Sequence, residues 1–220
     1  MSASTAATPP IEGDVFDQIA AALEGDGYIV LPAALPPALT EGLFQRVTSL
    51  GGEAFQRAGI GRHQERHIND RVRTDEVRWL AANVPSEAAF LDWMEALRLG
   101  INRRLFLGLF DYEAHFAHYA PGAYYKRHLD AFRGNRNRMV TTVFYLNPEW
   151  DATDGGELLI YREEEPTPFV RVLPRMGTLV VFLSDCFPHE VAAARRDRYS
   201  IAGWFRVNNT LGPSRGGRYS

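Results

Sequence analysis

The sequence predicts a mainly β protein with flanking helices, a jelly roll of about eight strands behind an N-terminal helical support. Three observations carry this. As far as Phe110, apolar residues recur at helical spacing. Beyond it, short β-branched and aromatic runs follow one another between clusters of Gly, Pro, Asn and Asp. The length, 220 residues, suits one full core and gives little reason for a second.

Residues 1–13 are rich in Ala, Ser, Thr and Pro and lack a basic stretch followed by an apolar run, so they read as a disordered N-terminus and not as a secretory leader. Over 14–24, Val15, Ile19, Ala22 and Leu23 share a helical face, and Gly25 and Gly27 stop it. A β-type run at 28–31 precedes a second helix over 36–50, which starts at prolines. A third, 86–107, carries Phe90, Trp93, Met94, Leu97, Leu99 and Ile101. These N-terminal helices are expected to pack on one sheet. Strands are expected near 114–120, 124–130, 138–147, 156–161, 169–173, 177–183, 187–194 and 198–207. The chain thus divides into helical support plus a lid segment over 14–110, a β core over 111–207 and a mobile tail over 208–220.

A net charge of -3 and a pI near 6.1 give no global reason to expect nucleic acid or membrane as a partner, and apolar runs are interrupted too often to span a bilayer. The single cysteine, Cys186, has no internal disulfide partner, which fits a reducing compartment, and the expected location is cytoplasmic.

His128 and Asp130 lie two apart at the end of an expected strand, where alternate residues share a face and can share a ligand. With six histidines in the chain, this spacing alone is weak. An imidazole and a carboxylate nevertheless supply two corners of the facial triad of non-haem iron(II) sites, which needs a second histidine and leaves open positions for a 2-oxo acid and dioxygen. His189, after an apolar strand and turn, is the candidate. A tight turn at 195–197 would then lay Arg198 on the antiparallel neighbour of the His189 strand. Arg195 and Arg196 would sit solvated at the tip. Arg198 opens the apolar run Tyr199-Ser200-Ile201-Ala202-Gly203-Trp204-Phe205, where a charge needs a partner, and a ligand carboxylate bound bidentately would be one. His115 and His118, three apart on a strand, face opposite ways and cannot join one metal. His63 and His67 read as surface residues.

Six ordered segments carry a family resemblance: Tyr119-Ala120-Pro121-Gly122, Arg127-His128-Leu129-Asp130, Val140-Thr141-Thr142-Val143-Phe144-Tyr145-Leu146-Asn147, Gly155-Gly156-Glu157-Leu158, Pro188-His189-Glu190-Val191 and Arg198-Tyr199. Through them, residues 118–207 resemble the prolyl 4-hydroxylase-like branch of the 2-oxoglutarate/Fe(II)-dependent dioxygenases, especially the oxygen-sensing prolyl hydroxylases and their bacterial relatives. The resemblance implies a distorted double-stranded β-helix, with Fe(II) held by His128, Asp130 and His189. It also implies 2-oxoglutarate held by Arg198 with Tyr145 at its far carboxylate and Tyr119 near the metal end, and O2 as the second cosubstrate. Ascorbate dependence is a family expectation. Tyr119 also reads as an ordinary core aromatic. Ala202 departs from the animal oxygen sensors, which carry a hydroxylated residue there, whereas Trp204 matches an aromatic position.

For the substrate, residues 55–79 hold Arg57, Arg62, Arg66, Arg71, Arg73 and Arg78 among glycines and acids. Such a segment reads either as a solvated hairpin or as a lid closing over a peptide, and Arg73 and Asp75 as a lid contact or a structural pair. The resemblance implies a proline-containing protein or peptide substrate, a translation factor by analogy with bacterial members. The alternatives are hydroxylation of a free amino acid or other small molecule, and a catalytically silent β-barrel that binds a ligand without turnover.

Overall fold

The computed structural model of the chain describes residues 14–58, 72–131 and 137–208. The expected N-terminal disorder, the tail beyond Asn208, His63, His67 and the centre of the proposed lid segment lie outside these residues.

Three helices form where the periodicity places them: α1, Val15–Gly25; α2, Pro37–Thr48; and α3, Pro85–Leu105. Both α2 and α3 open with proline in the first turn, where its missing N–H has no intrahelical partner to lose. α3 stops at Phe106, which takes the left-handed conformation. Among the described residues no helix is long and apolar enough to cross a membrane.

Among the described residues there are eleven strands, in chain order β1 Tyr28–Leu31, β2 Gln56–Arg57, β3 Glu76–Trp79, β4 Leu109–Tyr119, β5 Tyr125–His128, β6 Arg138–Tyr145, β7 Leu158–Ile160, β8 Val170–Val172, β9 Leu179–Leu183, β10 His189–Val191 and β11 Arg198–Val207. They make two antiparallel sheets, a seven-stranded one in the order β1-β9-β6-β11-β4-β3-β2 and a four-stranded one in the order β5-β10-β7-β8. The last eight strands are those the sequence predicts. β5, β7, β8 and β10, the strands of the small sheet, are shorter than expected.

Central strands of the large sheet are buried on both faces, and alternation sorts their side chains. Val140 and Phe144 of β6, Leu179 and Val181 of β9, and Ile201 and Phe205 of β11 join Ile19, Leu43, Phe90, Met94 and Leu97 of the helices in one core. Val143, Tyr145, Val180 and Phe182 face the other way and meet Leu158, Ile160, Val172 and Val191 of the small sheet. The helices therefore support the outer face, and the space between the sheets is left for chemistry.

Glu87 ties the support together. Its carboxylate, fully buried, accepts from Arg46 of α2 at 2.8 Å, from Arg78 of β3 at 2.9 and 3.0 Å, and from the Ala81 backbone N–H at 2.7 Å.

The structure corrects one expected connection. β10 pairs with β5 and β7, whereas β11 pairs with β4 and β6. The strands of His189 and Arg198 are thus not hairpin neighbours but lie in opposite sheets. Non-local contacts draw the linking segment across: Ala194 bridges to Gly155, and the Arg195 N–H donates to the Asp154 carbonyl at 2.8 Å. Arg196, its side chain 42% exposed, is solvated in part but held by neighbours and not free at a tip. It donates to the Pro148 and Glu149 carbonyls at 2.9 and 2.8 Å and lies 4.4 Å over the Trp150 ring.

Because Glu87 compensates two arginines from inside the core, Glu87→Ala should lower stability by about 3 kcal/mol or more, read as a shift of the denaturant midpoint, with Glu87→Gln costing less. A wild-type midpoint for Glu87→Ala would show that the two guanidinium groups find solvent without penalty.

Candidate active site

Antiparallel pairing of β5 with β10 sets His128 directly opposite His189, and Asp130 enters from the turn just after β5. Their ligand atoms lie within 4.8 Å of one another, with His128 Nε2 3.6 Å from Asp130 Oδ1 and His189 Nε2 3.6 Å from Asp130 Oδ2. Each ring uses its other nitrogen on the backbone two residues earlier, His128 Nδ1 on Lys126 O at 2.7 Å and His189 Nδ1 on Phe187 O at 3.1 Å. A carbonyl only accepts, so Nδ1 carries the proton and Nε2 keeps its lone pair for the centre of the cluster. This is the arrangement a divalent metal requires of imidazole ligands.

Electrostatics agree with the geometry. Burial pushes the His189 imidazole down to about 4, with His128 adding to the shift, so the ring is neutral at physiological pH. For Asp130 burial opposes ionisation, but the two imidazoles, His189 foremost, outweigh it and hold the carboxyl well below the usual carboxylate range. A neutral imidazole and an ionised carboxylate are the ligating forms. The Thr141 hydroxyl donates to Asp130 Oδ2 at 2.9 Å and lies 2.9 Å from Ser184 Oγ, which fixes the carboxylate plane. The indole N–H of Trp204 lies near enough to favour the ionised carboxyl but closes no hydrogen bond of full geometry.

Thr141, Val143 and Tyr145 alternate along the inward face of β6. Four residues from Thr141, about 13 Å along the strand, Tyr145 meets a cationic floor. Arg198 is 1% exposed, and among the described residues no carboxylate pairs with it. Its Nε donates to Gly156 O at 2.8 Å, and its Nη1 lies 3.5 Å from Ser200 Oγ. The guanidinium sits 4.9 Å from the Tyr119 ring centre and 5.1 Å from that of Tyr145, while Tyr119 is its register partner on β4. Arg198 Nη2 and Tyr145 Oη are both buried with no partner. Burial raises the Tyr145 phenol to about 12 and that of Tyr119 well above its ordinary value, so both stay protonated. A buried cation and a buried hydroxyl, both unsatisfied and side by side, fit a carboxylate.

Gly156 makes this floor possible. At φ +71° it adopts a backbone other residues avoid, and a Cβ there would stand 2.9 Å from Ala194 Cβ and 3.1 Å from Arg198 Cδ.

All six residues singled out from the sequence, His128, Asp130, His189, Arg198, Tyr145 and Tyr119, therefore line the space between the sheets. The other described histidines do not join the cluster. His115 is buried, bonds to Phe116 O and touches Trp79 and Trp204, while His118 bonds to Asp197 at 2.7 Å and stacks on Tyr199. Arg73 and Asp75 form an ion pair. The proposed lid segment begins and ends in β2 and β3, which pair at the edge of the large sheet, and its residues 59–71 lie outside the described ones. Sequence reasoning gave no role to Thr141, Ser184 or Gly156. Thr141 and Gly156 do fall within segments that carry the family resemblance.

A family model described as the 2OG-Fe(II) oxygenase superfamily matches residues 114–206. The mouse prolyl hydroxylase EGLN3 is 30% identical over 212 residues, which cover 89% of this chain and 84% of that protein. The first curated matches are local, the chain spanning only between 12% and 25% of the length of those relatives. Among solved structures, a prolyl-4-hydroxylase from Pseudomonas putida is similar with TM-score 0.78 and 36% identity, covering 88% of this chain and 100% of that one. A prolyl hydroxylase from Trichoplax adhaerens, in complex with a peptide fragment of the hypoxia-inducible factor oxygen degradation domain, is similar with TM-score 0.77 and 26% identity over 87% and 89% of the two chains.

Two expectations separate the ends of the site. His128→Ala or Asp130→Ala should abolish iron(II) binding, seen as loss of the visible spectral change that 2-oxoglutarate causes under anaerobic conditions; persistence of that change would remove the triad. Arg198→Ala should leave iron affinity within about twofold while weakening 2-oxoglutarate by about 100-fold, and Arg195→Ala, at an exposed position, should change neither affinity. Equal effects of the two arginines would show that the floor is not the carboxylate site.

Proposed function

The chain belongs to the 2OG-Fe(II) oxygenase superfamily, and from that premise we propose that it is a prolyl hydroxylase acting on a proline-containing protein or peptide. The observation that carries the chemistry is the placement, between the two sheets, of a His/Asp/His cluster and a buried arginine with no carboxylate partner among the described residues. The choice of proline is supported by the similarity, along nearly the whole chain, to the Pseudomonas putida and EGLN3 prolyl hydroxylases. A polypeptide substrate is supported by the peptide bound in the similar Trichoplax structure.

The cofactor and cosubstrates of this family are Fe(II), 2-oxoglutarate and O2. Bound iron supplies the oxidative step: 2-oxoglutarate leaves as succinate and carbon dioxide while one oxygen atom of O2 enters a substrate C–H bond. The protein's own residues supply the rest. His128, Asp130 and His189 would hold the iron on one side and leave its other positions open. Arg198 and the Tyr145 hydroxyl would hold the far carboxylate of 2-oxoglutarate, the guanidinium gaining the counter-charge it lacks. Tyr145 donates as a phenol, since burial keeps its proton on. Phe182, Val143 and Val180 pack around the space and keep water from it.

A free amino acid would compete with this reading. Succinate formation should accompany hydroxylation when the enzyme meets a proline-bearing protein, and free proline should not replace it. Incubation with a cell lysate, followed by mass spectrometry for proteins that gain one oxygen on proline, should reveal the substrate. No modified protein, together with robust turnover of a free amino acid, would overturn the protein-hydroxylase reading.

A further inference from the structure

The residues from Val72 to Trp79 hydrogen-bond to both sheets. Their first part takes the free edge of β5: the Thr74 N–H donates to Tyr124 O at 3.1 Å, the Lys126 N–H to Val72 O at 2.9 Å, and Arg73 bridges to Tyr125. Their last four residues are β3, paired with β4. At the crossing, the Arg73 guanidinium donates to both oxygens of Asp75 at 2.7 and 2.6 Å, and Asp75 is 2% exposed. Arg73 also lies 4.3 Å from the Tyr125 ring centre. That ring in turn stacks on His128, with centroids 3.6 Å apart and planes 15° apart.

We infer that Asp75, Arg73 and Tyr125 are positioning residues that fix the plane of the His128 imidazole and so preset the metal site. The inference rests on the triad being that site. His128 needs such help more than His189 does. His189 is 5% exposed, opens a strand paired on both sides and meets the edge of Phe182. His128 ends an outer strand, just before a turn, and its ring has one backbone hydrogen bond, about which it can tilt. A stacked ring removes that tilt. Tyr125 must itself be held, and a cation on its opposite face does so by attraction to the ring quadrupole. The fork of Asp75 orients the guanidinium, and because the pair is neutral it sets no net charge beside an incoming cation. Loss of a group that orients a ligand commonly costs 10- to 100-fold in metal affinity.

The full chain would be titrated with cobalt(II), reading both affinity and visible bands. Tyr125→Leu should weaken cobalt about 10-fold or more and alter its bands. Arg73→Met combined with Asp75→Asn, which leaves net charge unchanged, should do the same. Tyr125→Phe keeps the ring and should stay within about twofold of wild type. Equal losses in Tyr125→Phe and Tyr125→Leu would assign the effect to the hydroxyl and overturn the relay, as would wild-type affinity and bands in Tyr125→Leu. If Tyr125→Leu does not fold, judged by its melting curve, the double variant against Tyr125→Phe decides by the same readings. Failure of the underlying triad looks different: His189→Ala would then leave cobalt binding unchanged.

Discussion

A guanidinium sealed between two sheets, with no carboxylate paired to it among the described residues, is the constraint on which the inner architecture turns. An isolated buried charge costs several kcal/mol even after relaxation. Arg198 offsets part of that with the Gly156 carbonyl and the faces of Tyr119 and Tyr145. Each contact imposes its own condition. Gly156 must stay a glycine, Tyr119 must sit in register with Arg198, and the Gly155 to Ala194 bridge must hold the connecting segment. What remains unsatisfied, Arg198 Nη2 and Tyr145 Oη, is the part that binding an acid would complete.

Stability must then come from elsewhere, and the two faces of the large sheet divide the work. Its outer face packs on α1, α2 and α3 through large apolar residues such as Phe90, Phe116, Phe144 and Phe205, with Glu87 fastening α2 and β3 to α3. Its inner face carries the polar exceptions. Thr141, Tyr145, Arg198 and Ser200 are all buried there, while on the outer face of β6 the buried Thr142 meets the Tyr112 hydroxyl. The small sheet contributes short strands, and one of them, β10, is clamped between β5 and β7, which holds His189 against His128.

What was legible in the sequence follows the range of the interactions involved. Helices rest on local periodicity, and the strands at 138–145 and 198–207 emerge as expected because runs rich in β-branched and aromatic residues between turn residues mark a strand even when both its faces are buried. His128 and Asp130 were legible because they are two apart, and Arg198 because a charge in an apolar run asks for a partner. The link from β10 to β11 was misread because local turn chemistry favours a hairpin at 195–197, whereas distant groups, the Asp154 and Pro148 carbonyls, take the chain to the other sheet. The pairing of Arg73 with Asp75 was visible as one of two readings. Its continuation through Tyr125 to His128 was not: the contact of Arg73 with the Tyr125 ring joins segments far apart in the chain, and residues three apart on a regular strand would face opposite ways, so spacing gave no sign that Tyr125 stacks on His128. Ser184 is silent for the same reason: a lone hydroxyl gains its role only when Thr141 meets it.

If the floor and the triad are occupied by cosubstrate and metal, discrimination among substrates falls to the rim, and the rim is aromatic. Trp79, half exposed, meets the buried His115 edge-on at 5.2 Å, and His115 lies 5.5 Å from the buried Trp204, whose indole N–H favours the ionised form of Asp130. Among the described residues of this cluster the charges are already matched. Burial lowers His115 to about 4 and keeps it neutral, and Arg138, 3.6 Å over the Trp204 ring, is bound to Glu113 at 2.9 and 3.0 Å. Such a surface gains from dispersion and ring-face contact, and gains little from a new ion pair whose partners are already matched. A neutral ring rich in C–H bonds, such as the proposed prolyl ring, answers that surface better than a charged side chain, and the sequence around it would select by shape.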